Sequence, residues 1–227
     1  MKEQDIIEYV NEKPVFSIQT IQRLGNFSKE YSKIILHRLL NKNRIKKVGK
    51  NKYSTKKNIY VVASNLKVPS YISFWSASVY YGFSEQILNT IFVACTKKFK
   101  EIIFEGYKIK FLPANMFGYK KIISNDGEIF MAEPEKLIID VFLNFNAIGN
   151  FDEIEKIFQK SEINKEKIIE YLKIINKDSL IKRIGFMLEK HKKIDIYSYF
   201  ELNTNYYFLN PFFKKYKKLN SKWRLKI

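Results

Sequence analysis

The sequence predicts an α+β protein, and three observations carry that expectation. Apolar residues between Ser17 and Lys42 recur at spacings of three and four, as they do along one face of a helix. Short β-branched runs alternate around turn residues at Gly49, Glu105-Gly106 and Asn125-Asp126-Gly127. Beyond Pro134, helical runs open with proline in the first turn or follow polar residues. Two parts are expected: residues 1–58 as a small helical module with a hairpin, and residues 59–227 as a mixed α+β domain.

The first part justifies itself element by element. Residues 3–12 read as a helix, with Ile6, Ile7 and Val10 in a stripe and Pro14 bounding the end. Ser17 is placed to cap a short helix over 18–24, which Gly25-Asn26 ends, because both tolerate the left-handed conformation of a helix terminus. Ser28 is placed to cap a longer helix whose expected buried face is Tyr31, Ile34, Ile35 and Leu39, with Lys29, Lys33 and His37 opposite. Residues 45–53 then read as two short strands joined by a turn at Gly49 to Asn51. Helix, helix, basic helix and basic hairpin in this order make a winged helix-turn-helix.

Charge says what such a module would meet. Twelve basic side chains and one acidic one, Glu30, lie between Arg23 and Lys57. A helix of this kind fits the major groove, where polar side chains read base edges, while a hairpin lays cations along phosphates. The expected DNA-binding residues are Lys29, Ser32, Lys33, His37 and Arg38 on the helix, with Arg44, Lys46, Lys47, Lys50 and Lys52 in and before the hairpin. A solvated basic face, or a module that docks a protein, is the competing interpretation.

In the second part, residues 58–63 read as a strand and 70–81 as an aromatic-rich helix stopped by Gly82. Strands are expected over 88–94, 102–104, 108–111, 117–123 and 128–131, and helices over 134–142, 151–160 and 165–176. A strand over 194–202, an aromatic patch at Tyr206-Tyr207-Phe208 and a lysine-rich end from Lys214 complete the chain. At helical spacing Phe74, Trp75, Tyr80, Tyr81 and Phe83 read as core rather than as a platform for unpaired bases. Lys214 to Lys218 leave a nucleic-acid contact and a solvated run equally open.

Composition sets the outer limits. The chain has 227 residues, 46% of them apolar, and a net charge of +18, which suits a polyanion or an acidic protein more than a membrane surface. No run approaches the ~20 apolar residues of a membrane span, and the polar, acidic start is unlike a signal peptide, so a cytoplasmic protein is expected. Cys95 is the single cysteine, read as a buried thiol. No glycine-rich phosphate loop, metal-ligand spacing or nucleophile elbow occurs, so neither a cofactor nor enzymatic activity is expected. One cluster stands as an alternative: Asp126, Glu133, Glu135 and Lys136 have the residue types of a magnesium-dependent nuclease, although Glu135-Lys136 is adjacent where that chemistry wants one residue between. Carboxylates at a helix start explain the same residues through the helix dipole.

Four segments together resemble a known family. Residues 71–86, with Ser76-Ala77-Ser78 and the Gly82 stop, resemble the serine-alanine helix of the AbiEi antitoxins, regulators of abortive-infection toxin–antitoxin pairs. Ala132-Glu133-Pro134-Glu135-Lys136-Leu137-Ile138-Ile139-Asp140 resembles that family's central helix, Arg183-Ile184-Gly185-Phe186-Met187-Leu188-Glu189 its later arginine-glycine-leucine-glutamate segment, and Asn220-Ser221-Lys222-Trp223-Arg224-Leu225 its closing tryptophan-arginine strand. The resemblance implies that the N-terminal module represses its own promoter by binding inverted repeats in double-stranded DNA. It also implies that the C-terminal domain counters a cognate nucleotidyltransferase-type toxin, and that the acids around Glu133 are structural.

Overall fold

The computed structural model describes residues 2–212 and 215–227, and the chain is α+β as expected. It divides into two compact units, residues 1–72 with 88–131 and residues 73–87 with 132–227. This division differs from the expected boundary at residue 58. The hairpin belongs with the sheet that follows it, because Lys46 pairs with Glu105 and the Asp126 carboxylate accepts the backbone N–H groups of Lys57 and Asn58, both at 2.7 Å.

The first unit begins with α1 (Glu3–Asn11), α2 (Ile18–Gly25) and α3 (Lys29–Asn41), followed by the antiparallel pair β1 (Lys46–Gly49) and β2 (Lys52–Ser54). Asn26 adopts the left-handed conformation at the end of α2, and the Ser28 hydroxyl accepts the Tyr31 N–H at the start of α3. Ile6, Val10, Ile21, Leu36 and Leu39 close a common core beneath them. Phe16 and Tyr53 exchange two backbone hydrogen bonds of 2.9 Å, which bring the segment before α2 alongside the hairpin.

Next come α4 (Ile59–Asn65) and β3 (Ser70–Ile72), then β4 (Thr90–Cys95), β5 (Ile102–Phe104), β6 (Tyr107–Pro113), β7 (Tyr119–Ser124) and β8 (Gly127–Ala132). The six later strands form one mixed sheet in the order β5-β6-β4-β3-β8-β7. Two expectations fail here. Residues 59–65 are a helix, not a strand: Asn58 Oδ1 accepts the Tyr60 N–H and Asp126 holds the preceding turn, so capping prevails over the β-branched composition. Residues 70–72 are a strand rather than the start of a helix, because they pair with β4 in the register Ser70↔Cys95 to Ile72↔Val93. Cys95 is buried, and burial pushes its thiol pKa up.

The second unit comprises α5 (Phe74–Tyr80), α6 (Pro134–Leu143), α7 (Phe151–Lys160), α8 (Lys165–Ile175) and α9 (Asp178–Lys192), with a small sheet of β9 (Tyr207–Phe208), β10 (Leu219–Asn220) and β11 (Leu225–Lys226). The helix α6 packs against the other four, so nearly every side chain on it is buried. The helix α9 was not foreseen, since Gly185 interrupts its apolar pattern. That glycine is required: a Cβ there would lie 2.2 Å from the indole of the fully buried Trp223. No strand forms over 194–202, where a 3₁₀ turn at Tyr197–Tyr199 follows the left-handed Lys193. Lys214 lies outside the described residues.

Trp223 is fixed by acids that respond to pH. Its indole N–H donates to Glu189 Oε2 at 2.6 Å, and Lys222 pairs with Glu189 at 2.9 Å and Asp195 at 2.8 Å. The indole bond and then Lys222 hold the Glu189 pKa below 4.5, while Lys222 lowers that of Asp195. A carboxylate depressed on folding adds stability above its unfolded pKa and loses it as pH falls through the folded one. The melting temperature should therefore drop as pH falls below about 4.5, and Glu189→Gln should flatten that limb. An unchanged acid limb in the variant would remove Glu189 from this role.

Candidate nucleic-acid interface

The exposed side of α3 is set by its burial pattern. Ser32, Ile35, Leu36 and Leu39 face the core, which turns Lys29, Glu30, Lys33, His37, Arg38 and Asn41 outward. Ser32 is thus misplaced in the expected reading set: it is fully buried and its hydroxyl donates to the Ser28 carbonyl at 2.9 Å. Conversely, Tyr31 and Ile34 stand 46% and 47% exposed on the outward side, although their apolar character suggested the core. Tyr31 leans edge-on against Phe27 at 5.2 Å, while Ile34 stands one helical turn before Arg38.

Sequence reasoning missed Ile34 and also Asn41, whose side-chain nitrogen lies 3.4 Å from His37 Nδ1. The row Lys33, His37, Asn41 follows the i, i+4 spacing of one helical edge. Extending that spacing one turn past His37 would have found Asn41. Anchoring the period on the buried set rather than on Tyr31 would have found Ile34.

The hairpin is held by its own polar turn. Asn51, in the left-handed conformation, accepts the Ile18 N–H through Oδ1 at 3.2 Å and donates through Nδ2 to Gln19 Oε1 at 2.9 Å. With Ile45 and Val48 buried, Lys47 and Lys50 are exposed and Lys52 is half-buried. Lys46 differs from expectation because it is engaged by Glu105, and Arg44 donates to Gln4 Oε1 at 3.3 Å. Lys42, beside the site, pairs with Glu3 at 2.7 Å.

A cation engaged by a carboxylate neutralises less of a phosphate than an unengaged one. Lys50→Ala should weaken binding to every duplex about equally and flatten the salt dependence by ~1 unit, as loss of one phosphate contact does. Lys46→Ala should change the slope less. Equal slopes for Lys50→Ala and the unsubstituted protein, in a salt titration, would contradict the assignment of Lys50.

The acids of the nuclease alternative are employed elsewhere. Asp126 caps the turn before α4 in the first unit. In the second unit Glu133 accepts from Lys167 at 3.1 Å and Tyr171 at 2.5 Å, and the buried Glu135 accepts the Asn164 N–H at 2.8 Å. Lys136 and Asp140 form a fully buried pair, and Ser73 donates to the same carboxylate at 2.7 Å. Among the described residues no three histidine, cysteine or acidic side chains stand together as metal ligands, and no helix is long and apolar enough to cross a membrane.

No protein-family model matches the chain, and no curated protein does. A likeness exists at the level of fold. The chain is similar to the crystal structure of the RV2827C protein from Mycobacterium tuberculosis, with a TM-score of 0.63 over 97% of this chain and 89% of that one, at 10% sequence identity.

Proposed function

We propose that α1 to α3 with β1 and β2 form a winged helix-turn-helix that binds duplex DNA, and that the protein is a transcriptional repressor of its own promoter. One observation carries the reading. Lys29, Lys33 and Arg38 on α3, with Lys47 and Lys50 on the hairpin, are exposed cations on the two elements such a module would present to DNA, and His37 is exposed on the same helix. The charge agrees: the first unit holds 22 of the 41 basic residues but 9 of the 23 acidic ones.

In this reading α3 enters the major groove, with Lys33, His37 and Asn41 toward base edges and Ile34 toward the methyl group of thymine. The hairpin lysines lie on phosphates, which fix register without reading sequence. The resemblance of four segments to AbiEi antitoxins supports, by that likeness alone, a role for the second unit in countering a nucleotidyltransferase-type toxin. A protein-docking role for the same cationic face is the alternative that DNA binding has to exclude.

A reporter gene driven by the chain's own upstream DNA tests the repressor. Expression of the protein should silence the reporter, and Lys33→Ala should restore it at equal protein level. A reporter indifferent to the protein would overturn the repressor reading. Rescue of growth when the full chain is co-expressed with a neighbouring nucleotidyltransferase gene would test the antitoxin part separately, and growth arrest that the full chain does not relieve would remove it.

A further inference from the structure

Beside the hairpin, within the first unit, lies a cleft of about 380 Å³ that residues distant in sequence build together: Lys50 and Lys52 from the hairpin, Lys67 after α4, and Phe99 and Lys100 between β4 and β5. No acidic side chain lines it. The nearby acids are engaged elsewhere, Glu105 with Lys46 and Glu101 with Lys108 at 3.5 Å. Phe99 is the organising residue. Its ring packs edge-on against Phe111 at 5.8 Å, and the ammonium groups of Lys67 and Lys97 lie over it at 4.6 Å and 5.6 Å. A ring face holds cations by its quadrupole without neutralising them, so the lysines stay available to an anion.

We propose that this cleft binds the phosphodiester backbone of DNA beyond the segment contacted by α3, so that the protein's footprint runs from the hairpin onto the loop between β4 and β5. The proposal rests on the DNA-binding reading above. Two of the cleft's four lysines belong to the hairpin itself, so a strand seated on Lys50 is already at its mouth. Lys67 and Lys100 then extend the cationic path, and Lys97 follows on the same ring. Contacts of this kind add affinity and salt dependence without adding sequence preference.

The test is a salt titration of binding to a duplex of the chain's upstream DNA and to a scrambled duplex. It uses the full chain, Lys67→Ala/Lys100→Ala, Lys67→Arg/Lys100→Arg, and Lys100→Ala alone. The double alanine variant should bind both duplexes roughly tenfold more weakly near 0.1 M salt, with the log–log slope reduced by about 2. Lys100→Ala, at an exposed position where folding is not at stake, should show about half that change in slope. The arginine variant should retain the slope. Unsubstituted protein that binds its upstream duplex while both alanine variants keep its slope overturns the cleft and leaves the repressor standing. Arginine substitutions as damaging as alanine overturn it too, since charge would not be what matters. Failure of the unsubstituted protein to bind either duplex overturns the DNA reading and the cleft with it.

Discussion

Lys136→Met lowers the stability of the second unit by about 3–5 kcal/mol, the usual cost of removing one partner of a buried ion pair. Both side chains of the Lys136–Asp140 pair are fully buried in α6, and burial pushes the lysine pKa down against the pull of Asp140. Without the Lys136 cation, the Asp140 carboxylate is buried one charge short of balance, with Ser73 still donating to it at 2.7 Å. Denaturant unfolding measures the loss directly. The double variant Lys136→Met/Asp140→Leu should recover a large part, because it removes both charges together. A nuclease built on Lys136 would behave differently: the single variant would remain folded and lose cleavage, and the double variant would rescue nothing. Lys136→Met of unchanged stability would contradict the structural role assigned to the pair.

Lys33→Ala weakens binding to the preferred duplex by about 1–3 kcal/mol, roughly 5- to 150-fold, and changes binding to scrambled DNA far less. The difference between the two duplexes is the informative quantity. Lys33 is exposed on α3 in line with His37 and Asn41, where a side chain in the major groove meets base edges. A loss equal on both duplexes would move Lys33 from reading bases to holding phosphate. Ser32→Ala serves as the contrast, because its buried hydroxyl bonds the Ser28 carbonyl; it should leave sequence preference unchanged.

Much of the fold follows from local signals, and its departures from expectation have a common origin. The helix α7 (Phe151–Lys160) occupies the expected residues because Asn150 caps it and its apolar stripe is regular. The helix α4 was hidden because its sequence, rich in valine and isoleucine, favours a strand, and part of what fixes its start is Asp126, far along the chain. The helix α9 was hidden because Gly185 looks like a break until Trp223 is seen filling the space above it. The candidate interface shows the same division. The charge of the hairpin and the outward lysines of α3 were legible, since charge needs no partner to be seen. The faces of α3 were partly misassigned: Tyr31 and Ile34 are apolar yet exposed, and Ser32 is polar yet buried, so hydrophobicity alone set the period slightly out of phase. The cleft around Phe99 was not legible, because pairing β4 with β6 and β5 with β6 fixes the strands that flank its loop.

The first unit is proposed to bind duplex DNA with a sequence preference. The most direct measurement is equilibrium binding of the purified chain to its own upstream duplex and to a scrambled duplex of equal length and composition, from about 0.05 to 0.5 M salt. The logarithm of the affinity should fall linearly with the logarithm of salt concentration on both duplexes, with a preference for the upstream one that persists as the electrostatic part is screened. Binding that is equal on the two duplexes at every salt concentration, or absent at the lowest, would contradict it.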